Sequence, residues 1–375
     1  MHRSSSLPAL FIGCAAFGGL PLLAQTQLSL PTHADSVDGH HKHPLPFGMP
    51  GFRTQILVDA AAIAPNGALL NGIAFRSDRP SAPLAAQQVP NVTVSLSQTT
   101  AVVGAMSDTF ATNVTGTPTV VFQGTVNLPA ASAGLAGPQP WDVVVTFAAP
   151  FLFTTGGGNL LIDITGNNPP AIIAGYYLDA VQGGGSASPF GTNGVEPADS
   201  LRLHALSSLA NLEMDARRYT LGNTIQFASF RGLNASPGVI ALGTAPQPTP
   251  IDLTPLGAPT NWLYVDPIVV AAHTWSQNWF GWAALFPVLV PVNPQLIGAT
   301  LYGQSLVFEP AANALGVVLS NAVEVRIGDP AEQLPLQQCD AWDPAAATGY
   351  LVDFSSPLAP FERGSVPIRL DGVFF

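Results

Sequence analysis

Glycine and proline, 36 of each, interrupt this chain so often that long helices have little room to form. Proline removes a backbone N–H, and glycine carries too much backbone freedom for a helix interior. The runs between these breaks are strand-like. In Asn91-Val92-Thr93-Val94-Ser95-Leu96-Ser97 every second residue is apolar, and Leu160, Ile162 and Ile164 alternate with Leu161, Asp163 and Thr165. A period of two buries one face and wets the other.

Further runs of this kind lie at 53–59, 69–76, 119–128, 141–147, 172–179 and 200–206. Gly124 breaks the parity of its run and marks a candidate bulge. After residue 219, candidates recur at 224–230, 239–242, 262–271, 279–286, 297–308, 317–327 and 365–370. Residues 245–259 hold five prolines and read as a loop or an edge crossing, and 329–347 as a proline- and alanine-rich passage. Gly156-Gly157-Gly158 reads as a hairpin loop, and Gly183-Gly184-Gly185 as the start of a longer one. Neither has the strand–turn–helix setting that phosphate binding needs.

These signals predict an all-β protein: two tandem antiparallel β-sandwich or jelly-roll-like domains after a signal peptide. The expected division is 1–24 signal peptide, 25–45 flexible His-containing segment, 46–208 first domain, 209–218 linker, and 219–375 second domain with a C-terminal extension. The leader rests on Met1-His2-Arg3 and three serines, an apolar run from Leu7 to Leu23, and Ala24 before polar Gln25. Pro8, Gly13, Gly18, Gly19 and Pro21 break that run, which argues against a stable membrane anchor. Cleavage before Cys14 to give a lipoprotein is disfavoured, because the apolar run continues past it. The expected location is secreted, either extracellular or in the cell envelope.

Charged residues make up only 9% of the chain and the net charge is −11, with Lys42 the sole lysine. Nucleic acid and anionic membranes need clustered cations, so both are excluded as partners. A hydrophobic fraction of 47% argues against disorder. Past the leader only Cys339 remains, so no intramolecular disulfide is available; it is a buried small residue or a free thiol.

Asn71 to Arg76, Asn91 to Ser97, Trp141 to Ile164 with Pro150-Phe151 and Gly158-Asn159-Leu160-Leu161 resemble an uncharacterised group of secreted bacterial proteins. In the second half, Ile251-Asp252-Leu253, Leu256-Gly257, Leu263-Tyr264, Asn293 to Gly298, Gln304 to Phe308, Ser320-Asn321-Ala322 and Gly328 look like a domain common in such secretomes. The resemblance implies β-sandwich modules and extracellular fate, and no catalytic residues. Some relatives carry a C-terminal sorting segment; no apolar helix followed by basic residues ends this sequence.

Chemistry-bearing patterns are sparse. His204 and His273 are the only histidines outside the leader and tail, and neither accompanies a Gly-x-Ser-x-Gly elbow. No catalytic residue and no cofactor is assigned, and the protein is expected not to be an enzyme. His33, His40, His41 and His43, with Asp35 and Asp38, form the one metal-like cluster, read as a solvated tail or as a weak metal-binding tract. Trp262, Tyr264, Trp275, Trp279 and Trp282, with Phe280 and Phe286, form the densest aromatic stretch. It reads as core packing, an interface, or a platform on which sugar faces stack. The expected function is a secreted structural or interaction protein of the cell surface or matrix, with extracellular polysaccharide or other surface proteins as partners. The alternatives are a carbohydrate-binding protein using the 262–286 cluster, a secreted hydrolase of unrecognised type, and an outer-membrane barrel.

Overall fold

The computed structural model describes residues 26–39, 41–80, 83–132, 136–167, 176–181, 185–192, 202–206, 219–231, 237–273, 276–278, 281–329, 334–352 and 365–375. It is all-β. Every pairing between its strands is antiparallel, and the few helical pieces are single turns. The expected leader and the linker at 209–218 lie outside the described residues.

The first group of sheets is a sandwich. A six-stranded sheet runs in the order Tyr350–Leu351, Leu336–Ala341, Gly51–Val58, Asn159–Asn167, Gln87–Thr99, Thr119–Leu128. Facing it is a four-stranded sheet, Gln27–Leu30, Ile368–Phe374, Ala68–Phe75, Val143–Phe153. Alternation chooses the buried face. Phe52, Ile56 and Val58 from one sheet meet Leu70, Ile73 and Phe75 from the other in a single apolar core, joined by Val94, Ile162, Val145, Ile368 and Leu370. Leu57 and Leu161 point the opposite way, into a smaller cluster with Phe110 and Cys339. At Gly51–Val58, Asn159–Asn167 and Leu336–Ala341 the six-stranded sheet is therefore covered on both faces, and Cys339 is buried. The irregularity expected at Gly124 is a bulge carried by the facing strand. Val89 and Val92 pair with Val126 and Gly124, so Pro90 and Asn91 together face Thr125 alone, with Asn91 at φ 56°.

The second group pairs a five-stranded sheet (Gly185–Phe190, Val317–Ile327, Thr300–Phe308, Gly238–Gly243, Val269–His273) with a four-stranded one (Arg202–Leu206, Thr224–Arg231, Gly281–Leu289, Ser276–Asn278). Ile225, Phe227, Ile240, Val323 and Val325 form its largest apolar cluster. Polar side chains also cross between the sheets, as in Ser229 Oγ to Ser305 Oγ at 2.9 Å. The proline-rich stretch contains a strand after all: among the described residues Ala245–Asp252 pairs with Trp262–Asp266 alone, and its register slips between Pro246 and Ile251. That is the peripheral place its missing N–H groups allow.

Strand pairing overrides the expected tandem order. Leu336–Ala341 pairs with Gly51–Val58, and Ile368–Phe374 lies between Gln27–Leu30 and Ala68–Phe75. The end of the chain thus completes the first group of sheets, so 219–375 is not one unit. Residues 25–45 are likewise not a flexible tail. They hold the strands Gln27–Leu30 and His41–His43, and Ala34 and Leu45 are buried. The three-glycine turn is not a hairpin loop either. It carries the chain from Val143–Phe153 in one sheet to Asn159–Asn167 in the other.

Candidate functional site

Two arginines leave the end of strand Ala68–Phe75 and organise the junction between the two groups of sheets. Arg76 is fully buried. Its Nε donates to Asp179 Oδ2 at 2.7 Å and its Nη2 to the Val37 carbonyl at 2.7 Å; further donors reach Asp179 and the Ala34 carbonyl. Asp179 accepts the Gly39 N–H at 2.9 Å, and the Trp141 ring covers the guanidinium at 4.9 Å. Arg76 therefore pins the 34–39 segment through carbonyls that would otherwise be buried unpaired.

Arg79 does the same for the second group. It donates to the carbonyls of Pro189 (2.7 Å) and Gly137 (2.9 Å) and to Glu324 Oε1 (2.7 Å), and lies 3.1 Å from Asp38 Oδ2. Ser188 Oγ donates to the same Asp38 oxygen at 2.6 Å. Asp38 Oδ1 and Arg79 Nε are buried without a hydrogen-bond partner among the described residues.

Asp38, Asp179 and Glu324, with Asp78 nearby, surround the two guanidinium groups, and protonation responds. Burial, then Asp38, drives the Asp179 carboxyl up to about 6, with Arg76 working against the rise. Asp78 is pushed well above the ordinary range by burial, then by Asp38 and Asp179. Glu324 is raised by burial in spite of Arg79. For Arg79 itself burial works downward, and Asp38 and Glu324 outweigh it, so the guanidinium is held charged. Among the described residues no group of three or more His, Cys, Asp or Glu is arranged to hold a metal ion.

The predicted histidine cluster is dispersed. His43 is buried, and its Nε2 lies 2.7 Å from Asp340 Oδ2. Asp340 also accepts from Thr54 (2.7 Å) and Gln338 (2.9 Å), so this pair ties the start of the chain to its last strands. His33 is half-buried within the single helical turn Thr32–Asp35; His40 and the side chain of His41 lie outside the described residues.

The predicted aromatic cluster divides. Tyr264 is buried with Phe190, ring centroids 5.9 Å apart, and its hydroxyl accepts the Thr192 N–H at 2.9 Å. Gly191, at φ 79°, lies under that ring, where a Cβ would come within 2.5 Å of it. Trp262 is half-buried at the margin of the same cluster. Trp275, Trp279 and the side chain of Trp282 lie outside the described residues.

The most exposed described tryptophan is elsewhere. Trp342 is 58% exposed and Tyr350 43% exposed, at the two ends of the turn joining Leu336–Ala341 to Tyr350–Leu351. Trp342 Nε1 donates to Tyr350 Oη at 3.2 Å, and the rings stand edge-to-face, 6.3 Å and 81° apart. The turn between them is fixed. Asp343 Oδ1 accepts the Ala345 N–H at 2.9 Å, Arg53 reaches the Ala346 carbonyl at 3.3 Å, and Gly349 N–H bonds the Asp108 carbonyl at 2.8 Å. Burial, then Asp340, raises the Tyr350 phenol, so it stays protonated. Aromatic density along the sequence points away from this pair. Its signal is a lone Trp beside Asp343 and Pro344, at the end of a run whose neighbours belong in a sheet.

No family model matches the chain, and neither a curated protein nor a solved structure is significantly similar to it.

Proposed function

We propose that this is a secreted, non-enzymatic structural or interaction protein of the cell surface or extracellular matrix. One observation carries the reading. The described groups suited to acid–base chemistry, among them Asp38, Asp179, Glu324, Asp340, His43 and His273 (whose Nε2 lies 3.1 Å from Ser305 Oγ), are buried and bonded within and between the sheets, away from solvent. The surface left for partners is poor in charge and carries exposed aromatic and aliphatic side chains. The expected leader at 1–24, with cleavage near Ala24, supports export.

The test has two arms. N-terminal sequencing of protein from the medium and envelope fractions is expected to begin near Gln25; recovery of intact Met1 protein from the cytosol would overturn export. Purified mature protein is expected to co-sediment with isolated envelope or matrix material while turning over no ester, glycoside or peptide substrate. Turnover that persists through purification would overturn the non-enzymatic reading.

A carbohydrate-binding role is the second reading. The exposed Trp342–Tyr350 pair favours it, rather than Tyr264, which belongs to the core.

A further inference from the structure

We propose that Trp342 and Tyr350 form a stacking subsite for a neutral or amino-sugar polysaccharide. The proposal rests on the interaction reading above and names its ligand class and its place. Trp342 gives its indole N–H to Tyr350, so its ring face, not its polar edge, is what remains to offer. The two rings meet at 81°, forming a corner. A pyranose has an apolar C–H face and a rim of hydroxyls. The C–H face covers one ring, and the rim meets the second ring's edge and the phenol, which accepts from Trp342 and keeps its own hydrogen to donate.

The surroundings narrow the ligand. Asp343 and Asp108 are exposed on the turn and on the loop bonded to it, and Asp163, held by Arg53 at 2.7 Å, lies behind. The exposed Asp343 and Asp108 carboxylates accept hydrogen bonds from sugar hydroxyls or ammonium groups and repel uronates and sulfates. The whole chain, at −11, adds to that repulsion. Two partly exposed rings fall far short of the roughly 800 Å² per partner of a stable protein interface, but suit one or two sugar rings. The site is also preorganised. The turn is bonded to Arg53 and Asp108, so binding orders little that is mobile.

Full-length mature protein is tested by retention on insoluble β-glucan, xylan and chitin, with alginate gel as the polyanionic arm. Wild type is expected to be retained on at least one of the first three and not on alginate. Trp342→Ala is expected to weaken retention at least about tenfold, as loss of a binding hot spot does, and Trp342→Tyr to restore most of it. Melting temperature is read for each variant, and Trp342→Tyr keeps the test valid if the alanine variant is unstable. No retention of wild type on the neutral or amino glycans overturns the proposal, as does retention that Trp342→Ala leaves unchanged. Co-sedimentation with envelope material that persists when glycan retention fails leaves the interaction reading standing and sinks the sugar site alone. If Trp342→Ala abolishes that co-sedimentation as well, the occupant of the pair is a protein and the ligand class proposed here is wrong. Failure of wild type to sediment with any envelope or matrix material defeats the broader reading.

Discussion

The two groups of sheets hide their strands by different means. In the first, one continuous apolar core fills the space between the sheets, and aromatic rings such as Phe47, Phe52 and Phe75 meet edge-on at 5.4–5.9 Å. In the second, the apolar residues fall into several small clusters, and polar side chains bridge the gaps. Gln304 spans to the Trp262 and Ser320 carbonyls at 2.8 Å, and every residue of Val317–Ile327 is buried although Ser320, Asn321, Glu324 and Arg326 lie within it. A large apolar core tolerates imprecise geometry, because dispersion and solvent exclusion are non-directional. A polar interior does not, since each unpaired donor or acceptor carries its full desolvation cost. The second group should therefore be the one more sensitive to small displacements.

The largest expected effects test the cores directly. Phe52→Ala should cost about 3–5 kcal/mol, and Phe227→Ala in the second group should fall near the lower end of that range. Hydrogen exchange resolved by segment should show each loss confined to its own group; spreading of either to the other would break the comparison. Arg79→Met comes next. It strands Asp38 and Glu324 without their cation, and removing one partner of a buried pair costs about 3–5 kcal/mol. Because Arg79 touches both groups, exchange should rise on both sides of the junction. Protection lost on one side alone would show that the arginine is not a shared brace.

Matched glycines sharpen the contrast further. A Cβ at Gly166 would come within 2.3 Å of the Phe52 ring, and one at Gly303 within 2.7 Å of Phe227. Each alanine variant should cost about 1–3 kcal/mol in denaturant unfolding. If the polar interior is the less forgiving one, Gly303→Ala will cost as much as Gly166→Ala despite the milder clash.

The smallest effect is the pH response of the junction. Asp179 sits at about 6 in the fold and near the ordinary aspartate value when unfolded, so the folded state binds more protons in between. Its contribution is full below the unfolded value and is lost as pH rises through about 6. Asp78 and Glu324 are raised and act with the same sign. Thermal melts should be higher near pH 5 than near pH 8, by an amount on the order of 1 kcal/mol. Asp179→Asn should flatten that dependence; an unchanged slope would place its source elsewhere.

The sequence made strands legible wherever one sheet face is wet and the other buried. Val92, Val94 and Leu96 announce their strand because Thr93 and Ser95 lie on the other side. Leu336–Ala341 was illegible for the opposite reason. It lies in the same sheet, but in the part whose second face is covered by the Phe110 and Cys339 cluster, and its polar members, Gln338 and Asp340, are consumed by the His43 network, so no alternation survives. Pairing across some three hundred residues leaves no local trace either, which is why the tandem order looked natural. Pro267 splits the expected 262–271 strand into Trp262–Asp266 and Val269–His273. The aromatic site was only half legible. Density drew attention to 262–286, whereas exposure, which density does not encode, singles out Trp342.

The pairing of Gln27 with Asp371 also has a meaning in time. Residues 51–58 and 68–75 are synthesised early, yet their neighbours at 336–341 and 368–374 come last. During that interval the future interior strands are raw edges, open to wrong partners, while the second group already has most of its strands. Closing so long a loop is slow. The first sandwich is in effect a clasp whose tongue is made last. A polypeptide kept open in this way can be threaded through a narrow channel before it locks.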